Sequence, residues 1–241
     1  MISVEIEKFI RTKNYPEFSP KAIFFDMDGV LFDSMQSHAS AWVEALGIMG
    51  LPFTVNEAYM NEGRTGASTI DGVFNHVHGR TATDLEKQDI YKLKSGLFEA
   101  LGKTEPMPFA LELLQKIKAE DFDIFVVTGS GQPSLIDSLE KEFPGIFHKE
   151  KMVTAFDVMY GKPHPEPYLK ALKKSGLQPW EVIVVENAPL GVESATEAGL
   201  FTIAINTGPL DPTILTRSGA NLVFDGMEEL YDRWEKIVGS W

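Results

Sequence analysis

The sequence predicts an α/β protein: a doubly wound parallel sheet carrying an inserted helical domain. Three observations predict it. Four short runs rich in Ile, Val and Phe, "AIFFDM" near 22, "FDIFVVT" near 122, "EVIVVEN" near 181 and "LFTIAIN" near 200, are bounded by turn residues. Each is followed by a helical pattern, so the runs read as buried parallel strands with helices over both faces. Between about Ser34 and Thr104 no strand pattern occurs, only helical ones such as "HASAWVEALGIM" and "TDLEKQDIYKLKSGLFEAL".

Taken in order, the first 20 residues lack a continuous apolar block and carry Glu5 and Glu7, which argues against a secretory signal and for a short amphipathic helix. The first strand follows and ends at "FFDMDGVLFDS". The helical insertion comes next, and "EPMP" then opens the helix that precedes the second strand. The expected division is a core of residues 1–33 and 105–241 with a cap of residues 34–104. Both linkers, near Asp33 and Ser34 and near Thr104 to Pro106, leave from the edge that carries the carboxylates of the first strand. An insertion hinged there is placed to act as a lid.

Composition excludes several classes. The chain has 241 residues, 44% hydrophobic and 24% charged, and its apolar runs fall far short of the roughly 18 residues that span a bilayer. A net charge of -13 repels phosphate backbones, and the 22 basic residues form no stripe, so a nucleic acid is not the expected partner. The absence of cysteine rules out disulfides, thiol catalysis and thiolate metal sites, in keeping with a cytoplasmic protein. A monomer or weak homo-oligomer is expected.

In a doubly wound sheet, ligands bind outside the carboxyl ends of the strands. Asp26 and Asp28 sit at such an end, two residues apart and so on the same side if the extension continues. Two charges about 4 Å apart repel by roughly 4 kcal/mol at an effective dielectric near 20. A divalent cation or protonation of one partner relieves this, and splits the pair into an anion and an acid. Gly29 lets the backbone turn sharply beside a ligand. A solvated Asp-x-Asp-Gly turn would account for these residues by themselves, but three other strand ends repeat the pattern. Thr128 is followed by Gly129 and Ser130, offering hydroxyls and amides to an oxyanion. "GKPHPEPY" places Lys162 on a loop stiffened by proline, just before a helix. Glu186 and Asn187 supply oxygen ligands suited to Mg2+. No P-loop, Gly-x-Ser-x-Gly elbow or His-Glu-x-x-His motif is present, and "TGSGQPS" is an incomplete dinucleotide fingerprint. His76 and His78 are two apart on a predicted helix and do not share a face.

These four sites, in this order, resemble the haloacid dehalogenase superfamily of phosphotransferases, and more narrowly its beta-phosphoglucomutase and small-phosphatase branch. The resemblance runs from about Lys21 to the C-terminal helix. It implies that Asp26 attacks phosphorus to form an aspartyl phosphate while Asp28 protonates the leaving oxygen. Thr128 and Lys162 would hold the phosphoryl oxygens, with Gly29, Gly129 and Ser130 around them. Mg2+ would be held by Asp26, the Asp28 backbone carbonyl, Glu186 and Asn187. "SHASAW", containing His38 and Trp42, is similar to the first cap helix of the mutase, and "EKQDIY" places Lys87 at its substrate-binding lysine. The chain departs from the pattern at Asn187, where the family often has Asp. A second departure lies in "EGRTGAST", where Arg64 stands two residues ahead of the mutase's phosphate-clamping arginine. The expected activity is Mg2+-dependent phosphoryl transfer on a small phosphorylated metabolite, a sugar phosphate, by a phosphatase. The alternatives are a beta-phosphoglucomutase and a non-catalytic binder of phosphorylated ligands.

Overall fold

The computed structural model describes residues 2–102, 104–131 and 133–241. In chain order its elements are α1 (Ile2–Lys13), β1 (Ala22–Phe25), α2 (Met35–Ile48), α3 (Val55–Met60), α4 (Gly66–His78), α5 (Asp84–Ala100) and α6 (Ala110–Ala119). They continue with β2 (Asp123–Val127), α7 (Pro133–Glu142), β3 (Met152–Val153), α8 (Glu166–Ser175), β4 (Val182–Glu186) and α9 (Pro189–Glu197). The chain closes with β5 (Phe201–Ile205), α10 (Pro212–Arg217), β6 (Leu222–Phe224) and α11 (Met227–Val238).

All six strands are parallel, in the order β3-β2-β1-β4-β5-β6. The four predicted strands are therefore present, with short strands added at both edges. Two residues of β3 and three of β6 are too few to show a periodicity. The central strands are buried on both faces, which is why they read as continuous apolar runs. Ile23, Phe25, Ile183 and Val185 face the helices that carry Leu113, Leu230 and Trp234. Phe24, Phe125, Val182 and Val184 face Tyr168 and Leu172 of α8 and Ala195 of α9. The amphipathic α1 packs Phe9 edge-on against Phe18 and Phe201.

Helices α2 to α5 occupy the stretch between β1 and α6, and no strand lies there among the described residues. They enclose a cluster of their own, including Leu46, Leu51, Ile70, Phe74 and Ile90. Thr54 and Thr83 start α3 and α5 with reciprocal capping boxes to Glu57 and Glu86. The segments leading into and out of this helical cap run antiparallel, side by side. Phe32 bridges Pro106, the Asp33 amide donates to Glu105 O at 3.0 Å, and the Met107 amide donates to Leu31 O at 2.8 Å. The two linkers are thus tied to each other by backbone hydrogen bonds.

Candidate active site

The strand order reverses between β1 and β4, and the chain leaves both strands at their carboxyl ends beside each other. Asp26 follows β1, its amide donating to Val185 O of β4 at 3.0 Å, while Glu186 ends β4 and Asn187 comes next. The topology alone thus gathers three of the predicted polar residues into the crevice at the switch point. Thr128 follows β2, and Lys162 arrives on the loop before α8. All five are buried.

Lys162 is the hub of the core side. Its Nζ donates to Asp26 Oδ1 at 2.5 Å, to Glu186 Oε1 at 2.5 Å and to Val127 O at 3.0 Å. Two carboxylates against a fully buried ammonium keep that lysine charged, its pKa raised against the desolvation that would lower it. The remaining Glu186 contacts come from the Tyr168 hydroxyl at 2.7 Å on Oε1 and from the Asn187 and Ala188 amides on Oε2. Both oxygens of Glu186 are therefore engaged by protein donors. Asp26 is pushed up to about 8 by burial, with Glu186 and Asp28 adding to the rise and Lys162 opposing it.

The partner carboxylate has the opposite environment. Asp28 Oδ1 accepts from the Ser34 hydroxyl at 2.6 Å and lies 3.0 Å from His38 Nε2. Burial would raise this carboxyl, but the contacts from His38 and Ser34, and the charge of Lys94, hold it below the ordinary carboxylate value. On the far side of the ring, Lys94 Nζ is 2.6 Å from His38 Nδ1. An ammonium has no lone pair to accept with, so Nδ1 accepts and Nε2 carries the proton that Asp28 receives. Burial and the nearby Lys94 charge lower the His38 pKa, in keeping with a neutral ring in that tautomer. The ring stacks on Phe98 with centroids 4.2 Å apart. Two aspartates separated by one residue are thus given different partners and different titration behaviour.

Between core and cap lies a cavity of about 60 Å3, lined by Asp26, Asp28, Thr128, Gly129 and Ser130 below and by His38, Trp42, Glu62, Arg64, Tyr91 and Lys94 above. Thr128 turns its hydroxyl to accept the Ser130 amide at 2.9 Å, which closes the turn beneath the cavity. Arg64 lines the cavity while its Nε donates to Asn61 Oδ1 at 3.0 Å. Gly29 has φ +78, and a Cβ there would stand 2.0 Å from Asn187 Nδ2, so the site requires glycine at that position.

Lys87 is the one predicted site residue that the structure places elsewhere. Its Nζ pairs with Asp71 Oδ2 at 2.8 Å and ties α5 to α4 away from the cavity. Lys94, two turns further along α5, is the lysine of the cavity. The sequence did carry a signal for it: Ile90, Lys94 and Phe98 recur every four residues and are the buried residues of α5, so a lysine interrupts an apolar stripe. Ser34 was legible only as a linker residue. It stands at the N-cap of α2 yet makes no side-chain cap bond: its backbone is helical rather than extended (φ -105, ψ -15), and its hydroxyl donates to Asp28 instead. Glu62, in the loop between α3 and α4, had no sequence signal. Asp33 is exposed on the hinge, and His76 and His78 are exposed at the end of α4.

A family model described as haloacid dehalogenase-like hydrolase matches residues 20–199. The chain belongs to that family. This hydrolase is 30% identical over 210 residues to hexitol phosphatase A of Escherichia coli (strain K12), covering 87% of the chain and 93% of that protein. It is 26% identical to the beta-phosphoglucomutase of Bacillus subtilis (strain 168), covering 90% of the chain and 96% of the other. Among solved structures, one titled a putative beta-phosphoglucomutase from Bacteroides vulgatus superposes with a TM-score of 0.97 at 50% identity, covering 100% of the hydrolase and 98% of that chain. The hydrolase is accordingly an enzyme of the haloacid dehalogenase-like class, and no helix among its described residues is long and apolar enough to cross a membrane.

Proposed function

We propose that the enzyme is a Mg2+-dependent phosphatase acting on a small sugar or polyol monophosphate through an aspartyl-phosphate intermediate. The observation that carries this reading is the division of labour in the Asp26–Asp28 pair. Asp26, beside the Lys162 ammonium, is the nucleophile: its free carboxylate oxygen attacks phosphorus while the ester oxygen departs. Lys162 and the Thr128–Ser130 turn balance the charge on the phosphoryl oxygens. Asp28, held by Ser34 and His38 and ionised in the resting site, is suited to take a proton from the water that hydrolyses the acyl phosphate, and it then carries that proton to the departing alkoxide of the next turnover. Attack and protonation need no side chain from outside the described site.

The residues present fit a divalent cation. The Asn187 side-chain oxygen is buried without a hydrogen-bond partner, and an orphaned acceptor in a crevice of carboxylates suits a hard cation. Four buried carboxyl groups, Asp26, Asp28, Glu62 and Glu186, face the two lysines Lys94 and Lys162. Additional positive charge would bring Asp26 back to its anionic form at neutral pH. Asp26, the Asp28 backbone carbonyl and Asn187 Oδ1 would hold Mg2+. With both oxygens occupied by protein donors, Glu186 supports Lys162 instead of binding the metal directly. When bound, the ion supplies Lewis-acid neutralisation of the transferring phosphoryl group.

The cap side of the cavity offers hydroxyl partners in Asn61, Glu62 and Tyr91 and a platform in Trp42. That chemistry suits a polyhydroxylated substrate, the type named for the hexitol phosphatase relative. Beta-phosphoglucomutase activity is the second reading, favoured by the Arg64 guanidinium in the cavity wall, which could grip a second phosphate. A turnover screen over sugar and polyol monophosphates with Mg2+, run with and without a sugar bisphosphate, separates the two. Phosphate release that is indifferent to the bisphosphate establishes the phosphatase. Isomerisation that requires it establishes the mutase.

A further inference from the structure

One side-chain hydrogen bond joins the cap directly to the proposed metal residue. Asn187 Nδ2 donates to Glu62 Oε1 at 2.9 Å, and both residues are buried. Glu62 belongs to the loop between α3 and α4, 125 residues away in sequence. Three glycines admit that loop. Gly29 leaves room for the Asn187 amide itself. Gly63, next to Glu62, has φ +86, and a Cβ on it would stand 3.0 Å from the Lys162 side chain. A Cβ on Gly129 would meet Gly63 O at 2.2 Å. The missing side chains of Gly63 and Gly129 therefore leave room for the Glu62–Gly63 backbone to lie against the core, with Glu62 meeting the Asn187 amide.

The orientation of that amide follows from the contact. An Asn side chain turned by half a rotation exchanges its oxygen and its nitrogen. With Nδ2 held by an acceptor on the cap, Oδ1 is left as the orphaned oxygen facing the site. A carboxylate at position 187 would have no proton to donate to Glu62.

We propose that Glu62 is a cap-borne positioning residue: on closure it docks on Asn187, registers the cap over the nucleophile and fixes the amide so that its oxygen is presented to the divalent cation. Metal affinity and cap closure are thereby coupled, each favouring the other by the same factor. The inference rests on the proposed role of Asn187 as a metal ligand, and its test is built so that the two fail differently.

Mg2+ is titrated calorimetrically into the wild-type protein, Glu62→Ala, Glu62→Gln, Asn187→Ala and the double variant Glu62→Ala/Asn187→Ala. Closure is read in parallel by small-angle X-ray scattering with a trifluoromagnesate-type phosphate mimic. Glu62→Ala is expected to weaken Mg2+ binding about tenfold and to leave a more open envelope, the effect of one buried hydrogen bond. Glu62→Gln keeps an accepting oxygen and should stay close to wild type. In the Asn187→Ala background, Glu62→Ala should cost nothing more in Mg2+ affinity. Equal losses from Glu62→Ala in both backgrounds, or a Gln variant as weak as the Ala variant, would overturn the positioning role. If Asn187→Ala binds Mg2+ as tightly as wild type, the ligand assignment has failed, and with it the coupling to the metal. The scattering arm still tests docking by itself.

Discussion

At the scale of single residues, chemistry follows from which partner each carboxylate has been given. Asp26→Asn should abolish turnover by orders of magnitude while leaving the melting temperature near that of wild type; an active Asn variant would show that Asp26 is not the nucleophile. Asp28→Asn removes a proton carrier and should cost about 10²–10⁴-fold in kcat. The raised pKa of Asp26 makes a second, independent prediction. Metal-free Asp26 is largely protonated below about 8, whereas a metal-ligating carboxylate must be ionised, so Mg2+ binding at pH 7 should expel a proton from it. Affinity should therefore rise as the pH is raised toward 8. Calorimetry in buffers of different ionisation enthalpy measures the released proton directly, and a value near zero would contradict the raised pKa. These two aspartates were legible in the sequence because an Asp-x-Asp-Gly ending on an apolar strand is a local pattern. Glu62 and Ser34 were not legible, since their roles arise from contacts that only folding creates.

At the scale of elements, helix α5 shows a conflict between stability and use. Lys94 lies in the apolar stripe of Ile90 and Phe98, with its ammonium 5.0 Å from the Phe98 ring centroid and 5.5 Å from that of Trp42. Burial lowers its pKa from the ordinary 10.5 to about 8, and Asp28 only partly offsets this. For a lysine, a depressed folded-state pKa means that the charged form opposes folding. The cost is complete below about 8 and fades as the pH climbs from there to 10.5. It amounts to about 3 kcal/mol, against which the contact to His38 sets about 1–3 kcal/mol. Lys94→Met should therefore keep or raise the melting temperature at pH 7 while reducing turnover, because His38 loses the donor that fixes its tautomer. Wild-type turnover should decline above about pH 8, as the charge on Lys94 is lost, and the Met variant should lack that limb. A variant that melts well below wild type, or one that keeps full activity, would remove Lys94 from this role. The shift from Lys87 to Lys94 has the same origin: a lysine on a helix can be assigned to a face from sequence, but which face meets the active site depends on how α5 packs against α2.

At the scale of the whole molecule, cap and core meet across the cavity of about 60 Å3. The paired linkers at Phe32–Asp33 and Glu105–Met107 lie side by side, and the cap is expected to turn about them when substrate enters. Scattering profiles of the protein alone and with a phosphate mimic should differ in radius of gyration, and crosslinking the cap to the core should block turnover of sugar phosphates. Full activity in a crosslinked, closed protein would show that substrate enters another way. The sequence by itself determined the sheet, the insertion and the order of polar residues at the strand ends. Those depend on short-range regularities: apolar runs of strand length, helical periodicity and turn residues at fixed places. Only the tertiary structure decided the two edge strands, the Ser34–Asp28–His38–Lys94 chain, the engagement of both Glu186 oxygens and the seating of Glu62 on Asn187. The Ser34–Asp28–His38–Lys94 chain and the Glu62–Asn187 contact are fixed by the packing of the cap against the core, and the edge strands and the Glu186 contacts by packing within the core, geometries that exist only once those parts have folded.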